Sequence, residues 1–187
     1  MVVVRSQPVG LPENYSIVLS SAENLEAIPA IEVAAAATFA EADLPLGIRY
    51  RVTDQDVLEM ARQGGRLWIA LNGDDRVVGF TMLEIVDGLA HLDELDVHPD
   101  HVRQGIGSSL LRVAIDWAVR EAYPAMTLVT FRHLTWNAPF FEKFGFSEIE
   151  RDELSLELRE ILRDEIAIGL SKANRIAMRL KLGACRT

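Results

Sequence analysis

Cysteine is almost absent from this chain of 187 residues, because Cys185 is its only thiol. A single thiol cannot form an internal disulfide, so a disulfide-stapled fold is excluded and a reducing, cytoplasmic compartment is expected. The sequence also lacks any run of about 18 apolar residues, the length that a membrane span needs. Its first residues do not follow the order of a secretory signal, charge before an apolar run. We therefore expect no membrane partner.

Positive charge is also scarce. Lys and Arg total 19 and Asp and Glu total 28, which gives a formal net charge of −9. Binding to a nucleic-acid backbone requires a basic face, so this balance argues against a nucleic-acid partner. The four histidines do not have the spacing of a metal site with Cys or acidic partners, and no G-x-S-x-G motif is present. We expect neither a metal centre nor a serine hydrolase.

The order of the elements predicts one α/β (α+β) domain with a mixed, mostly antiparallel sheet and helices on both faces. Residues 1–13 contain Pro and Gly and are predicted to be an irregular lead-in, residues 14–183 the domain, and residues 184–187 a tail. Turn signals at residues 72–75 and 87–88 join three successive strands. Helices are predicted over residues 22–42, 54–63, 107–122, 139–144 and 154–166.

The segment from residue 97 to residue 109 has the pattern of a phosphate-binding turn. A strand ends at Val97, Pro99 stops it, and Gly105 and Gly107 lie where the next helix begins. Glycine lets the backbone approach a ligand, and the first N–H groups of a helix are unpaired and partially positive. Arg103 adds a cation. Taken alone, the two glycines are explained equally well by a tight helix entry that binds nothing.

A second segment favours the phosphate-binding turn over a tight helix entry that binds nothing. Residues 137–146, N-A-P-F-F-E-K-F-G-F, are typical of a short helix followed by a Gly-Phe turn into a strand. Together the two segments resemble the Gcn5-related N-acetyltransferase (GNAT) superfamily, over about residues 14–183. The phosphate loop of that superfamily is (Arg/Gln)-x-x-G-x-(G/A) after a strand ending in V-x-P. Its later segment begins with Asn and ends with Tyr-x-x-x-G-F.

The resemblance implies acetyl-CoA as the donor. Backbone N–H groups of residues 103–107, with Ser108, would hold the pyrophosphate, and Asn137 would lie near the pantetheine arm. The N–H of Leu95 would face the thioester oxygen. The donor-site residues implied in this way are Leu95, Val97, Val102, Arg103, Gln104, Gly105, Ile106, Gly107, Ser108, Asn137 and Phe141.

The sequence departs from the family pattern at two positions. Val102 stands at the first position of the loop, and the arginine follows one residue later. Phe141 stands where the family often has a tyrosine, the usual candidate to protonate the departing CoA thiolate. Phenylalanine has no proton to give, and Tyr50 or Tyr123 could replace it only in principle, since neither has positional support.

Acetyl transfer to an amine requires a base, because an amine with a pKa near 10 is neutral in only about one part in 10³ at pH 7. Strand residues 91–96, H-L-D-E-L-D, carry four titratable groups. Alternation predicts His91 and Asp93 on one face with Leu95, and Glu94 and Asp96 on the other, unless a bulge intervenes. A neighbouring carboxylate would raise the pKa of His91. The catalytic candidates are His91, Asp93, Glu94 and Leu95. For each of them, the alternative is an ordinary strand residue without a catalytic role.

The leading hypothesis is an N-acetyltransferase that moves acetyl from acetyl-CoA directly to a small cationic amine. Acidic residues that favour such an acceptor are Glu41, Asp43, Glu94 and Asp96. Arg49 and Arg51, in the same loop as the first two, could instead bind a carboxylate. Acetylation of a protein N-terminus or lysine is one alternative, and a non-catalytic acyl-CoA-binding regulatory module is another. A homodimer formed through sheet edges stays open, without a sequence argument for it.

Overall fold

The computed structural model describes residues 10–183, which form one seven-stranded sheet with five α-helices packed against it. The strands are β1 (Ser16–Leu19), β2 (Leu67–Leu71), β3 (Val77–Val86), β4 (Leu89–Val97), β5 (Ala125–Phe131), β6 (Ser147–Glu148) and β7 (Arg175–Lys181). The helices are α1 (Ile28–Ala36), α2 (Gln55–Gln63), α3 (Ile106–Arg120), α4 (Ala138–Glu142) and α5 (Leu156–Ala167). Short 3-10 helices span Ala22–Ala27 and Pro99–His101.

The sheet has the order β1-β2-β3-β4-β5-β7-β6, and of these neighbours β4 and β5 are the parallel pair. Helices α3 and α4 cover one face, where Leu110 and Phe141 pack in the same cluster as Leu92. Helices α1, α2 and α5 cover the other face, where Phe80 and Met82 lie under α1 and α2. The predicted mixed, mostly antiparallel sheet with helices on both faces is confirmed.

The helix ends follow their capping residues. Asp54 accepts a hydrogen bond from the N–H of Asp56 at 2.8 Å and begins α2, and Gly64 follows its last residue. Ser155 caps α5 in the same way, through the N–H of Leu158 at 3.2 Å. These contacts satisfy backbone N–H groups that the first turn of a helix leaves free. Local residue types therefore set both helix starts.

Helix α1 ends six residues earlier than predicted, at Ala36 instead of residue 42. The chain turns because Phe39 leaves the helical path and packs against Phe131 of β5, with ring centroids 5.5 Å apart. Arg49 then holds the following loop, donating to the carbonyl oxygens of Phe39 at 2.6 Å and Leu44 at 2.9 Å. Contacts distant in sequence thus override the helix propensity of the alanine-rich stretch.

Strands β4 and β5 separate partway along their length, and this separation creates the site. They pair only from Ala90 to Leu92 on β4, whereas β4 stays paired with β3 as far as Val97. The β3–β4 register shifts at the same level, since Met82 pairs with Glu94 and Leu83 with Leu92. Asp93 is the extra residue of a β-bulge. The second half of β4 therefore borders a gap in the sheet.

Parts of the predicted lead-in and tail, residues 1–9 and 184–187 with Cys185, lie outside the described residues. The described end of the lead-in is packed, because Leu11 is buried in the core beneath α3. Within residues 10–183, no helix combines the length and apolar character that crossing a membrane requires.

Candidate active site

The loop before α3 presents backbone N–H groups that have no partner within the helix. Arg103 and Gly105 both have positive φ, 63° and 79°, and α3 begins directly afterwards at Ile106. The first helical hydrogen bond runs from the N–H of Ser109 to the carbonyl of Gly105 at 3.0 Å. The N–H groups of Ile106, Gly107 and Ser108 therefore have no partner within the helix. Such a turn at a helix N-terminus binds anions, above all phosphates.

The two glycines of this loop differ in the space that a side chain would have. A Cβ on Gly105 would lie 2.9 Å from the carbonyl oxygen of Gly10, so no side chain fits there. A Cβ on Gly107 would meet nothing closer than Val97 Cγ2 at 3.8 Å, so the first turn of α3 is open on that side. The open turn lies beside N–H groups that have no partner within the helix, so it can receive an anion.

The other residues of the predicted loop contribute backbone more than side chains. Val102 is 46% exposed and Gln104 is also exposed, whereas Ile106 is buried in the core beneath α3. A valine in place of the family's Arg or Gln is therefore compatible with the loop. The structure places these residues in the single turn that the sequence predicted.

The backbone of Leu95 faces the gap between β4 and β5. The N–H of His98 donates to the carbonyl of Val78 at 2.8 Å, which fixes the alternation of hydrogen bonds between β4 and β3. In an antiparallel ladder only every second residue bonds to a given neighbour, so Leu95 directs its N–H away from β3. Pairing with β5 stops at Leu92, so this N–H points into the gap. It can stabilise a developing oxyanion there.

The bulge changes which acidic side chains share a face. Because Asp93 is extra, His91 lies on the same face as Glu94 and Asp96, the face covered by α1 and α2. Simple alternation would separate His91 from Glu94 and Asp96, and the bulge is the exception that the prediction from sequence allowed for. The side chain of Leu95 lies on the opposite face, packed against the core under α3.

A cleft of about 440 Å³ opens on this acidic face. Five carboxylates and two cations line it, namely Glu32, Asp93, Glu94, Asp96, Glu165, Arg51 and Arg175. Sequence reasoning did not find Glu32, which is only 6% exposed and accepts from the N–H of Thr53 at 3.1 Å. A signal existed, because Glu32 follows Ile28 by four residues and so lies on the buried face of α1.

Burial in this cleft raises the pKa of Asp93 to about 7, with further upward effects from Glu84, Glu165 and Glu32. The side chain of Asp93 is exposed to solvent, but it lies inside the cleft, whose walls limit the water around it. Burial also raises the pKa of Asp96 to about 7 and holds that of Glu94 well above its usual range. Carboxylates in this state exchange protons near neutral pH and can serve as general bases.

The pKa of His91 is shifted in the opposite direction to those of the three carboxyl groups. Its ring is 3% exposed, and Nδ1 lies 2.8 Å from the Thr127 hydroxyl of β5. Burial lowers the pKa of His91 to about 4, although the charge of Asp87 acts in the opposite direction. A neighbouring carboxylate does act upward on this pKa, as expected, but desolvation is the larger effect and the net shift is downward. His91 is therefore neutral at pH 7 and held by Thr127.

Asn137 offers an unused hydrogen-bond acceptor beside the gap. Its Nδ2 donates to the Thr130 hydroxyl at 3.0 Å, whereas its Oδ1 is buried without a partner among residues 10–183. An orphaned buried oxygen is costly unless a ligand satisfies it. Asn137 lines the same cleft, so this oxygen can accept a hydrogen bond from a ligand bound there.

No tyrosine replaces Phe141 at the cleft. The Phe141 ring lines the cleft and packs on Phe146, with centroids 5.9 Å apart. Tyr50 is 73% exposed, and Tyr123 stacks on Trp117 at 5.6 Å. Neither tyrosine is among the described residues that line the cleft.

The loop at residues 37–54 closes one side of the cleft. Its charged residues make different contacts, and only some of them line the cleft. Asp43 pairs with His133 Nε2 at 2.7 Å, and the Arg49 guanidinium is occupied by carbonyls of its own loop. Arg51 lines the cleft, whereas Glu41 is exposed outside it. Glu41 and Asp43, which the prediction from sequence assigned to a cationic acceptor, are therefore not among the described residues that line the cleft. Nowhere in residues 10–183 do three or more His, Cys, Asp or Glu side chains group as metal ligands would.

Known proteins resemble this chain in sequence and in fold. The peptidyl-lysine N-acetyltransferase YjaB of Salmonella typhimurium is 30% identical over 105 residues, which are 56% of this chain and 66% of that protein. YjaB of Escherichia coli is 29% identical over 109 residues, 58% of this chain and 68% of that protein. The chain thus spans about two thirds of the length of these relatives.

The fold also matches a solved structure, the PaiA N-acetyltransferase of Thermoplasma acidophilum in complex with coenzyme A. The TM-score is 0.64 at 18% identity, over 89% of this chain and 98% of that one. The sequence model of the acetyltransferase (GNAT) family matches residues 32–146, more than half of the chain and the part that holds the loop before α3 and most of the residues that line the cleft. With this match, the separated β4–β5 pair and the anion-binding turn, the chain belongs to the GNAT family of acetyltransferases, whose members take the acetyl group from acetyl-CoA.

Proposed function

We propose that the chain transfers acetyl from acetyl-CoA directly to a small cationic amine. The acidic cleft carries this proposal, because five carboxylates face two cations in a volume of about 440 Å³ beside the Leu95 N–H. A cavity of this size suits a small ligand. A bound cation would favour the ionised form of the three carboxyl groups whose pKa burial raises, and they would in turn stabilise the cation. Closure by the loop at residues 37–54, which the Asp43–His133 pair holds, also favours a small acceptor.

The proposed roles follow from proton chemistry. The acceptor ammonium must lose a proton before its nitrogen attacks the thioester carbonyl, and Asp93 has the pKa of about 7 that suits this transfer. Glu94 holds the cation, and the Leu95 N–H stabilises the oxyanion. Neutral His91, bound to Thr127, serves as a positioning residue for the acceptor or a bridging water. Attack forms the C–N bond, and collapse of the tetrahedral intermediate breaks the C–S bond without a covalent enzyme intermediate. The expelled CoA thiolate takes the second proton of the attacking nitrogen through solvent, which leaves a neutral amide and the CoA thiol.

On the donor side, backbone N–H groups of residues 103–107 and Ser108 hold the pyrophosphate. The Oδ1 of Asn137, which is buried without a partner among the described residues, accepts an amide N–H of the pantetheine arm. Both assignments use groups that the described residues leave unsatisfied.

A lysine side chain is a second candidate acceptor. The YjaB relatives are named peptidyl-lysine N-acetyltransferases, and a lysine ammonium has the charge that the cleft favours. A peptide additionally needs an open path over the loop at residues 37–54.

The test is CoA release from acetyl-CoA with a diamine, an amino sugar and a lysine-containing peptide as acceptors. We expect the diamine to have the highest kcat/KM and the peptide the lowest. A higher kcat/KM for the peptide would favour the second acceptor class. Calorimetric binding of CoA without turnover on any amine would contradict the enzyme and support a binding module.

Replacing Asp93 by Asn is expected to lower kcat about 10²-fold or more, since a positioned base contributes that much. The limb of the pH–rate profile near pH 7 should disappear, because its titrating group is removed. Asp152→Asn, at an exposed position, is the matched control and should leave the profile unchanged. An Asp93→Asn profile that keeps its limb near pH 7 would assign the base to another residue.

Replacing Phe141 by Tyr is expected to raise turnover about tenfold or more, because it adds a proton donor at the cleft for the leaving thiolate. Phe140→Tyr adds the same hydroxyl to the same helix, and Phe140 is not among the described residues that line the cleft. The control should therefore leave kcat unchanged. Equal rates for both variants and the parent would show that thiolate protonation does not limit the reaction.

A further inference from the structure

A second cavity, of about 490 Å³, lies on the other flank of α5 from the acidic cleft. Ile161, Glu165 and Ile168 border the cleft, whereas Leu162 and Ile166 border the second cavity. The remaining walls come from residues around β6 and from the start of β7. Its apolar lining consists of Ile149, Leu154, Leu162, Ile166, Ala173, Ile176 and Ala177.

The charge of this cavity is opposite to that of the whole chain. Six of the 19 Lys and Arg residues line it, namely Arg132, Arg151, Arg159, Arg163, Lys172 and Arg175. Glu148 is the single carboxylate among its described lining residues. In a chain of net charge −9, such a concentration of cations in one cavity creates a local positive potential that attracts anions.

Part of this positive charge is uncompensated. Arg132 is neutralised by Glu148 at 2.6 Å, and Arg175 by Glu165. In contrast, the side chains of Arg151 and Lys172 have no hydrogen-bond or ion-pair partner among residues 10–183. Arg159 makes only long contacts to backbone carbonyls, at 3.4 and 3.5 Å.

Three cations are thus available on the rim of an apolar cavity. We propose that it binds a small organic anion, a carboxylate or phosphate on an apolar body. Arg151, Arg159 and Lys172 would hold the anionic group, since guanidinium and ammonium groups bind carboxylates and phosphates through charge-assisted hydrogen bonds. The apolar body would lie against Leu162 and Ile166. The volume of about 490 Å³ is that of a small-molecule site. This proposal does not depend on acetyl transfer.

The experiment is titration of the whole chain with phenyl phosphate and with 3-phenylpropanoate, followed by calorimetry and by amide NMR shifts. We expect saturable 1:1 binding of at least one of them, with shifts at Ala173 and Ala177 and none at Gly105 and Gly107 of the donor loop. The stronger ligand identifies the anionic group. Phenethylamine, which has the same ring on a cation, should not shift these amides.

The double variant Arg151→Ala with Lys172→Ala should weaken binding about tenfold or more, because two charge-assisted contacts are lost. Arg76→Ala with Arg120→Ala removes the same charge at exposed positions outside the cavity and should leave binding unchanged. If both double variants weakened binding equally, the loss would come from net charge alone, and the proposal would be overturned. The proposal would also fail if inorganic phosphate bound as tightly as phenyl phosphate, or if neither organic anion moved the amides of Ala173 and Ala177.

Discussion

Gly107→Asp is expected to weaken CoA binding at least a hundredfold without destabilising the fold. A new side chain fits at this position, since its Cβ would meet nothing closer than 3.8 Å. A carboxylate near the start of α3 favours the helix dipole by about 0.5 kcal/mol, so stability should stay level or rise slightly. Against a bound pyrophosphate, the same charge at about 5 Å costs roughly 3 kcal/mol, which corresponds to more than a hundredfold in Kd.

Gly107→Asn is the matched control, because asparagine has the size of aspartate without its charge. Calorimetric titration with CoA and urea unfolding of the three proteins separate charge from shape. The aspartate variant should lose binding, and the asparagine variant should stay within about tenfold of the parent. Similar losses in both variants would mean that the space beside the first turn of α3, and not its charge, governs donor binding.

Asp96→Asn is expected to stabilise the protein at pH 8 by several kcal/mol, roughly 4 for a pKa difference of about 3 at 1.36 kcal/mol per pKa unit, and to have little effect at pH 4. The folded state holds the pKa of Asp96 at about 7, above its ordinary value of 3.8. As pH rises from 4 to 7, the unfolded chain ionises freely while the folded chain resists, so this group lowers stability progressively and fully above pH 7. Asparagine removes that pH-dependent cost.

Urea unfolding of the parent and the variant across pH 4 to 8 measures the difference. His91 has a pKa lowered to about 4 and contributes stability that rises with pH between about 4 and 6.5. That contribution is common to both proteins and cancels in the difference. Asp152→Asn, at an exposed position, should show no such trend. A pH-independent gain in Asp96→Asn would place its cause in packing instead of ionisation.

The same substitution should weaken binding of a cationic acceptor, because it removes one of the carboxylates that line the cleft. Burial of Asp93, Glu94 and Asp96, with repulsion from neighbouring carboxylates, lowers stability when they ionise, and the proposed function uses their charge. A stabilising change that reduces function is common where a site concentrates like charges.

The donor loop could be predicted from sequence because its determinants are local. A strand end, a proline and glycines at a helix start occupy about ten consecutive residues, and Gly105 and Gly107 act through backbone geometry alone. The caps at Asp54 and Ser155 depend on neighbours two or three residues away. Rules that depend only on a few neighbouring residues can be applied without knowing the fold.

The acidic face could not be predicted in this way. The bulge at Asp93 exists only relative to the register of β3, and periodicity within β4 does not contain it. The low pKa of His91 results from burial against Thr127, which lies 36 residues away. The early end of α1 depends on Phe131 in the same manner. Each of these features is set by contacts between segments that are distant along the chain.

The bulge on β4 also separates two kinds of mutational tolerance. A substitution at Asp93 removes one side chain and leaves the register of β4 against β3 in place. Deletion of the same residue would remove the bulge and make Leu92 and Glu94 neighbours opposite Leu83 and Met82, so the two faces of the strand would stay as they are. Deletion of Leu95, by contrast, would place Asp96 in the core under α3 and Val97 on the acidic face. Within the second half of β4, the bulge is therefore the position that best tolerates a change in strand length.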